Sequence, residues 1–434
     1  MIKEKRLKYI VFCLLNMTGI FAFVGQVAAQ AIVGDTHSGY SVAAYVWPSC
    51  HDDRPKGHEL LWPAGTGEWE IIKKGTPRFE GHYQPKQPLW GYEMDNNPQV
   101  MEKWIDAATQ HGVNVFIFDW YWYDEGPFLE SCINDGFLKA RNNDKMQFYI
   151  MWANHDVKKN YWNVHKYGND ESLLWDASVD WKNFKIIVDR VINQYFEKGN
   201  YFKINGAPVF SIFSLEKFVQ SFGTVDEARK ALDYFRKEVK RYGFPELHIQ
   251  SIIGGGMPDE KMLQQIEQLG INSMTHYNWG GPHPEDYMTW GKESMERMDK
   301  WVEALSVPYF PNASVGWDDT PRFPHKTQKD VVHYNNSPQS FATYLQKVKE
   351  YLDSFFLKLS SVRNDFFSCL KSHSENLTKF VIIWLDQEWM ILKNVHQEIS
   401  CRIYDDHNSL IFQLFHDPAV DVIRHRRRDT SRKE

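Results

Sequence analysis

Acidic and aromatic side chains that share the ends of short apolar runs are the residues of this chain whose types and spacing could do chemistry. Phe116-Ile117-Phe118 leads into Asp119-Trp120-Tyr121-Trp122-Tyr123-Asp124, and Tyr149-Ile150-Met151 leads into Trp152-Ala153-Asn154-His155-Asp156. Met274-Thr275 leads into His276-Tyr277-Asn278-Trp279, and a first run carries Tyr45 and Trp47. A carboxylate set among rings can accept hydroxyl protons or exchange a proton with a bridging oxygen, while the rings present apolar faces to flat ligands such as sugars. Asp119 is therefore the candidate catalytic carboxylate, with a strand-end cap as the alternative. Asp124, on the loop beyond, is a candidate hydroxyl partner. Asn154, His155, His276 and Tyr277 are candidate polar contacts, and local hydrogen-bond networks are their alternative. Tyr45, Trp47, Trp120, Trp122 and Trp152 are candidate ring or hydroxyl contacts, although any of them could instead pack the core.

These clusters need a scaffold that gathers them, and the sequence describes one. Candidate strands at Val42–Trp47, Val113–Asp119, Gln147–Trp152, Pro208–Phe213, Leu247–Ile253, Ile271–His276 and Val307–Ala313 alternate with helical patterns. The helical patterns include Pro98–His111, Trp181–Lys198, Val225–Tyr242, Asp259–Leu269 and Lys292–Leu305. Such alternation predicts an α/β chain folded as a (β/α)8 barrel, whose sites lie at the carboxyl ends of its strands. A doubly wound open sheet is the alternative, but no glycine-rich dinucleotide fingerprint follows the first strand. Gly254-Gly255-Gly256 lacks the Lys-Ser/Thr of a nucleotide loop and reads as a strand-end turn. Between the first strand and the first long helix lies a Pro- and aromatic-rich insertion. His82 and Tyr83 on it are candidates to cover the site, and Glu68 and Glu70 lie on a helical turn where carboxylates are usually solvated.

Composition narrows the classes. The chain has 50 Lys+Arg against 56 Asp+Glu, a formal net charge of −6, which excludes a basic nucleic-acid footprint. With 17 Trp, 21 Tyr and 28 Phe, aromatics reach 15%, well suited to lining a sugar site or packing a large barrel. No metal-ligand run and no phosphate-cradling glycine loop is present. Lys3, Lys5, Arg6 and Lys8 precede an apolar stretch from Tyr9 to Phe23, and Val27-Ala28-Ala29 supplies small residues before Gln30. This is the pattern of a cleaved secretory leader, so an exported, periplasmic or secreted protein without a stable membrane anchor is expected. Cys50, Cys132, Cys369 and Cys401 remain beyond the leader, too few for a disulfide scaffold.

Several of these segments together resemble one family. Ala44-Tyr45-Val46-Trp47-Pro48, Glu68-Trp69-Glu70, Phe79-Glu80-Gly81-His82-Tyr83-Gln84-Pro85, Phe118-Asp119-Trp120-Tyr121-Trp122-Tyr123, Phe137-Leu138-Lys139-Ala140 and Met151-Trp152-Ala153-Asn154-His155 look like the WbsX-type proteins. That family carries a family-99-like glycoside hydrolase domain, and the match spans roughly residues 40 to 345. It implies a cofactor-free barrel acting on oligosaccharides or polysaccharides. Family 99 hydrolases are retaining endo-α-mannosidases in which one carboxylate deprotonates the sugar 2-hydroxyl while a second protonates the leaving oxygen. Their carboxylates sit in an Asn-Glu-Trp-x-Glu-Gly motif after the last strand. Here Phe380-Val381-Ile382-Ile383-Trp384 resembles that strand and Gln387-Glu388-Trp389 part of the motif, which makes Glu388 the candidate base. The second glutamate would fall at Ile391, which has no proton to give.

The resemblance fades from about Tyr351, and the chain ends in Arg424-His425-Arg426-Arg427-Arg428 and Arg432-Lys433. The expected organisation is a leader at 1–30, the barrel at 31–350 and a divergent segment at 351–434. That last segment is either a last barrel unit with a basic tail or a shifted reading frame, leaving the final unit incomplete or aberrant. The expected function is an exported glycoside hydrolase, endo-acting on α-mannose-type or related glycans. The alternatives are a glycosyltransferase in surface-polysaccharide assembly, which the WbsX resemblance also carries, and a carbohydrate-binding barrel without catalysis.

Overall fold

The computed structural model describes residues 40–280, 286–323, 332–361 and 379–384. Its sheet contains β1 (Tyr40–Val46), β2 (Val115–Tyr123), β3 (Gln147–Trp152), β4 (Ala207–Ile212), β5 (His248–Ile253) and β6 (Ser273–His276). Two short segments, Tyr309–Phe310 and Asn312–Ser314, form β7, and Lys379–Trp384 forms β8. Pro311, which has no N–H to give to a ladder, interrupts β7. Each strand pairs in parallel with the next, from Ala43 opposite Val115 to Met274 opposite Tyr309. Asn312 then pairs with Ile382, and Tyr40 with Lys379, so β8 joins β7 to β1 and the ring closes. This is the (β/α)8 barrel that the strand–helix alternation predicts. The eighth strand of the last unit is in place; Glu388 lies outside the described residues.

The helices form where amphipathic patterns follow good caps. α1 (Pro98–Gln110) starts behind Asn97, whose side chain accepts from the Gln99 N–H, with proline at its first position. α2 (Trp181–Val191) and α3 (Leu215–Phe222) are capped by Asp180 and Ser214, and α4 (Val225–Arg241) and α5 (Glu260–Gln268) by Thr224 and Asp259. α6 (Tyr287–Ala304) is capped by Asp286 and so begins earlier than its apolar pattern from Lys292 suggests. α7 (Pro338–Ser361) completes the set. After β2 the connection is a π-turn at Cys132–Gly136 and short 3₁₀ turns instead of a long helix.

β2 also runs past its expected end at Asp119. Its last residues pair antiparallel with Gly126–Phe128 across Asp124 and Glu125, both in the left-handed region at φ 47° and 60°. That backbone suits a tight two-residue hairpin turn, and aspartate tolerates it better than most side chains.

Helices α6 and α7 press close behind β6 and β7. Tyr287 donates to the Ser314 carbonyl at 2.6 Å, and the Trp279 indole donates to the Asn312 carbonyl at 2.9 Å. Gly291 leaves room for the Tyr344 ring: a β-carbon there would lie 2.3 Å from Cζ of Tyr344. Gly291→Ala is expected to force that ring aside and to destabilise the protein by about 1–3 kcal/mol in urea unfolding. An unchanged midpoint would show that the α6–α7 contact is not tight.

Candidate active site

A cavity of about 660 Å³ opens at the carboxyl ends of the strands, where barrel enzymes place their sites. From β1, β2 and β3 side chains reach it by alternation, because successive strand residues point to opposite faces. Tyr45 and Trp47 come from β1 and its end, Asp119 and Tyr121 from β2, Met151 and Ala153 from β3 and its end, and Tyr277 follows β6. Asp119 lies deepest in chemical terms. It is 3% exposed, its Oδ2 accepts from the Tyr277 hydroxyl at 2.8 Å, and its Oδ1 is buried without a partner. Loss of water pushes its pKa up to about 8, only partly opposed by the Tyr277 hydrogen bond. Asp119 thus keeps its proton at neutral pH. The Tyr45 ring lies 4.7 Å from that of Tyr277, and Phe213 meets Tyr277 edge-on at 5.7 Å. The hydroxyl of Tyr45 is likewise buried and unpartnered.

A second wall comes from two loops far apart in sequence. Glu68, on the insertion, accepts from Nε of Arg322 on the loop after β7, at 2.9 Å. The Arg322 guanidinium stacks on Trp47 at 4.3 Å and stands over Tyr161 and Trp162 at 5.1 and 5.5 Å. Burial would weaken the Arg322 charge, but Glu68 raises its pKa above the ordinary value; Glu68 itself is pushed up by burial, with Arg322 opposing. Nearby, Asp318 accepts from Gln84 Nε2 at 2.8 Å and meets His82 Nε2 and Lys86 Nζ, each at 3.0 Å. Burial would raise the Asp318 carboxyl, yet the Lys86 charge and the His82 and Thr320 hydrogen bonds outweigh it and hold the group ionised. Arg78 adds a pair to Asp319 at 3.2 Å and a bond to the Phe323 carbonyl at 2.8 Å. The insertion is thereby pinned to the β7 loop across the barrel mouth.

Of the residues read from sequence, Asp119, Tyr45, Trp47, His155 and Tyr277 line the cavity together. His155 is packed against Tyr121, Trp162 and Phe213, and burial lowers its pKa, so it sits neutral. The others lie elsewhere, each for a reason in the strand geometry. Trp120, Trp122 and Trp152 point outward: Trp120 donates to Glu130 at 2.8 Å and packs on Trp122, while Trp152 packs on Phe184 of α2 and Phe218 of α3. His276 faces Trp301 of α6, bonds the Tyr309 hydroxyl at 2.6 Å, and is driven by burial to a pKa of about 3. Asn154 is buried and exchanges hydrogen bonds with the Ser214 backbone, fixing the start of α3. His82 acts on the cavity through Asp318, Tyr83 is 39% exposed, and Asp124 lies on the hairpin turn.

Tyr121, Tyr161, Trp162 and Arg322 line the cavity without having been singled out by sequence, and Glu68 is buried where a solvated carboxylate is expected. Period-two alternation from Asp119 could have found Tyr121 and set Trp120 and Trp122 apart. Nothing local marks the Glu68–Arg322 pair. Among the described residues, no group of three or more His, Cys, Asp or Glu could hold a metal ion, and no helix is long and apolar enough to cross a membrane.

Fold and cavity together define a (β/α)8 barrel with an aromatic-walled cleft holding a buried carboxyl at the carboxyl ends of its strands. The chain belongs to the glycosyltransferase WbsX family, whose model matches residues 42–358. It is 21% identical over 347 residues to the WxcX proteins of two Xanthomonas campestris pv. campestris strains, covering 76% of this chain. The chain spans about half the length of these relatives, 46%. Among solved structures, it is similar to a glycoside hydrolase-like protein at 12% identity and TM-score 0.47, over 83% of this chain and 87% of the other. The GH99 endo-α-mannosidase from Bacteroides thetaiotaomicron follows at 10% identity and TM-score 0.43, over 82% and 86%.

The raised pKa of Asp119 has a consequence for stability. The folded chain holds a proton that the unfolded chain releases near the ordinary value of 3.8, so this contribution is fully present below that pH and is lost as pH rises through about 8. Asp119→Asn removes the effect. Between pH 5 and 8, chemical unfolding should show the parent losing about 4 kcal/mol more than the variant. Parallel profiles would contradict a buried, protonated Asp119.

Proposed function

We propose that this chain is a glycan-processing enzyme, a glycoside hydrolase that cleaves α-mannose-type or related polysaccharides within the chain. One observation carries the reading: a buried carboxyl, that of Asp119, stands in a cavity walled by aromatic rings, where loss of water pushes its pKa up to about 8. In this reading Asp119 donates its proton to the glycosidic oxygen as the bond to the sugar C1 breaks. A second carboxylate takes the proton of the attacking hydroxyl, whether the sugar's own 2-hydroxyl or water. The family resemblance offers Glu388 for the second role. Tyr45, Trp47, His155 and Tyr277 hold the sugar, and the leader-like first thirty residues support export.

The second reading, a glycosyltransferase, is favoured by the description of the family itself. Against it, among the described residues the lysine and arginine of the cavity lining are Lys261 and Arg322, and Arg322 is already paired with Glu68. A sugar-nucleotide diphosphate would need more positive charge than these two described residues supply. Acceptor-dependent release of nucleotide from a sugar-nucleotide panel would favour the transferase and overturn the hydrolase.

The direct test is digestion of a glycan panel, α-mannans included, with products read by mass spectrometry. The parent should cleave a member of the panel, and Asp119→Asn should lose on the order of 10²- to 10⁴-fold in kcat/KM. For the parent, kcat/KM should fall as pH rises past about 8, where Asp119 gives up its proton. Equal turnover by parent and variant would remove Asp119 from the chemistry.

A further inference from the structure

The insertion after β1 is closed at its base by one buried histidine. Nδ1 of His51 meets Oδ1 of Asp95, just ahead of α1, at 2.6 Å. On the other side of the ring, Nε2 faces Oδ1 of Asp53 at 3.8 Å and makes no hydrogen bond. The side chains of His51 and Asp95 are fully buried, and that of Asp53 is 14% exposed. The carboxylates also accept main-chain hydrogens: Asp95 Oδ2 from Cys50 at 2.8 Å, and Asp53 Oδ1 and Oδ2 from Leu129 and Gly57 at 3.0 and 3.3 Å. A neutral imidazole has one N–H, so one ring lone pair would point at a carboxylate oxygen away from water. An imidazolium presents an N–H to each. Burial alone would strip the ring of its charge, yet Asp95 and Asp53 outweigh it and push the His51 pKa up to about 9. Other ionisable groups act on this cluster at one remove. The Cys50 and Cys132 thiols are pushed up by burial and then by Asp95, Glu68 and Lys73 act on Cys50, and Lys56 acts on Asp53.

The histidine sits where the two ends of the insertion meet. The Asp95 N–H donates to the Cys50 carbonyl at 3.1 Å, and the Glu68 N–H donates to the Ser49 carbonyl at 2.9 Å. Gly67 permits that close approach, since a β-carbon there would lie 2.0 Å from the Ser49 oxygen and 2.8 Å from the His51 nitrogen. The segment from Ser49 to Asp53 therefore sets the backbone of Glu68, and with it the Arg322 pair in the cavity wall. We propose that His51 is a proton-operated latch: as an imidazolium between Asp95 and Asp53 it fastens the base of the insertion, and its deprotonation in alkaline solution loosens that base together with the Glu68 backbone. Once the proton is lost, a ring lone pair stands against a carboxylate, so a contact that fastened the loop becomes repulsive. The latch belongs to the fold of the barrel mouth and does not depend on the substrate.

The ring is read on the full chain by nitrogen-15 NMR of labelled histidine. Both ring nitrogens of His51 should carry hydrogens at pH 7 and titrate near pH 9. Asp53→Asn keeps an acceptor for the Leu129 N–H and should lower that midpoint by about one pH unit. The folded ring holds its proton more tightly than the unfolded one, whose pKa is 6.5, so its contribution to stability is full below that pH and is lost as pH rises through about 9. Between pH 6.5 and 10 the unfolding equilibrium of the parent should shift on the order of 10²-fold further than that of His51→Gln. Asp119 titrates in both chains, so the difference isolates His51. Loosening of the insertion is read by trypsin cleavage after Lys73 and Lys74. At pH 8 Asp53→Asn should be cut severalfold faster than the parent, and by pH 10 the two should be cut alike. If His51→Gln does not fold, the ring spectra and the cleavage of parent and Asp53→Asn carry the test. A His51 ring with a single hydrogen at pH 7, parallel stability profiles, equal cleavage at pH 8, or a difference that persists at pH 10 would overturn the latch.

Discussion

In a closed parallel barrel, every strand residue faces either the axis or the helices, and the next residue faces the other way. That constraint decides what is site and what is scaffold here. On β2 it sends Asp119 and Tyr121 into the cavity and turns Trp120 and Trp122 toward the helical layer, although all four belong to one aromatic run. On β3 it sends Met151 and Ala153 inward and leaves Trp152 between α2 and α3. Ring closure through β8 brings Tyr40 beside Lys379 and leaves no open edge between β7 and β1. Asp119 loses its water as a consequence of where β2 must put it.

The second organising feature is the clasp between the insertion after β1 and the loop after β7. Glu68 with Arg322, Arg78 with Asp319, and His82, Gln84 and Lys86 around Asp318 close the mouth on one side. These pairs are buried, so their attraction is weakly screened, but each ion also gives up hydration. Their clearest effect is positional. They hold Trp47, Tyr161 and Trp162 around one guanidinium in the wall of the cavity that Asp119 also lines.

Much of this architecture is legible in the sequence. Apolar runs of six or seven residues spaced between amphipathic stretches give the barrel, and the helical patterns from Pro98, Trp181 and Val225 give the starts of α1, α2 and α4. The aromatic strand ends point to the correct end of the barrel. Reading each cluster as a unit, without its period of two, is what groups Trp120 and Trp152 with Asp119. The Glu68–Arg322 pair spans 254 residues, and the neighbours of Glu68 in sequence suggest only a solvated helical turn. Its burial is decided by a loop that no local pattern connects to it. His276 shows the same limit in reverse: a polar residue at a strand end that faces a helix and is kept neutral by it.

The account turns on the proton of Asp119. Carboxyl carbon-13 chemical shifts of the aspartates, followed from pH 4 to 10 and assigned by comparison with Asp119→Asn, measure it directly. A single aspartate titrating near pH 8, absent from the variant, is the predicted result. An Asp119 signal titrating near pH 4 would mean that the carboxyl is ionised at neutral pH, and the cavity would have no buried acid at its centre.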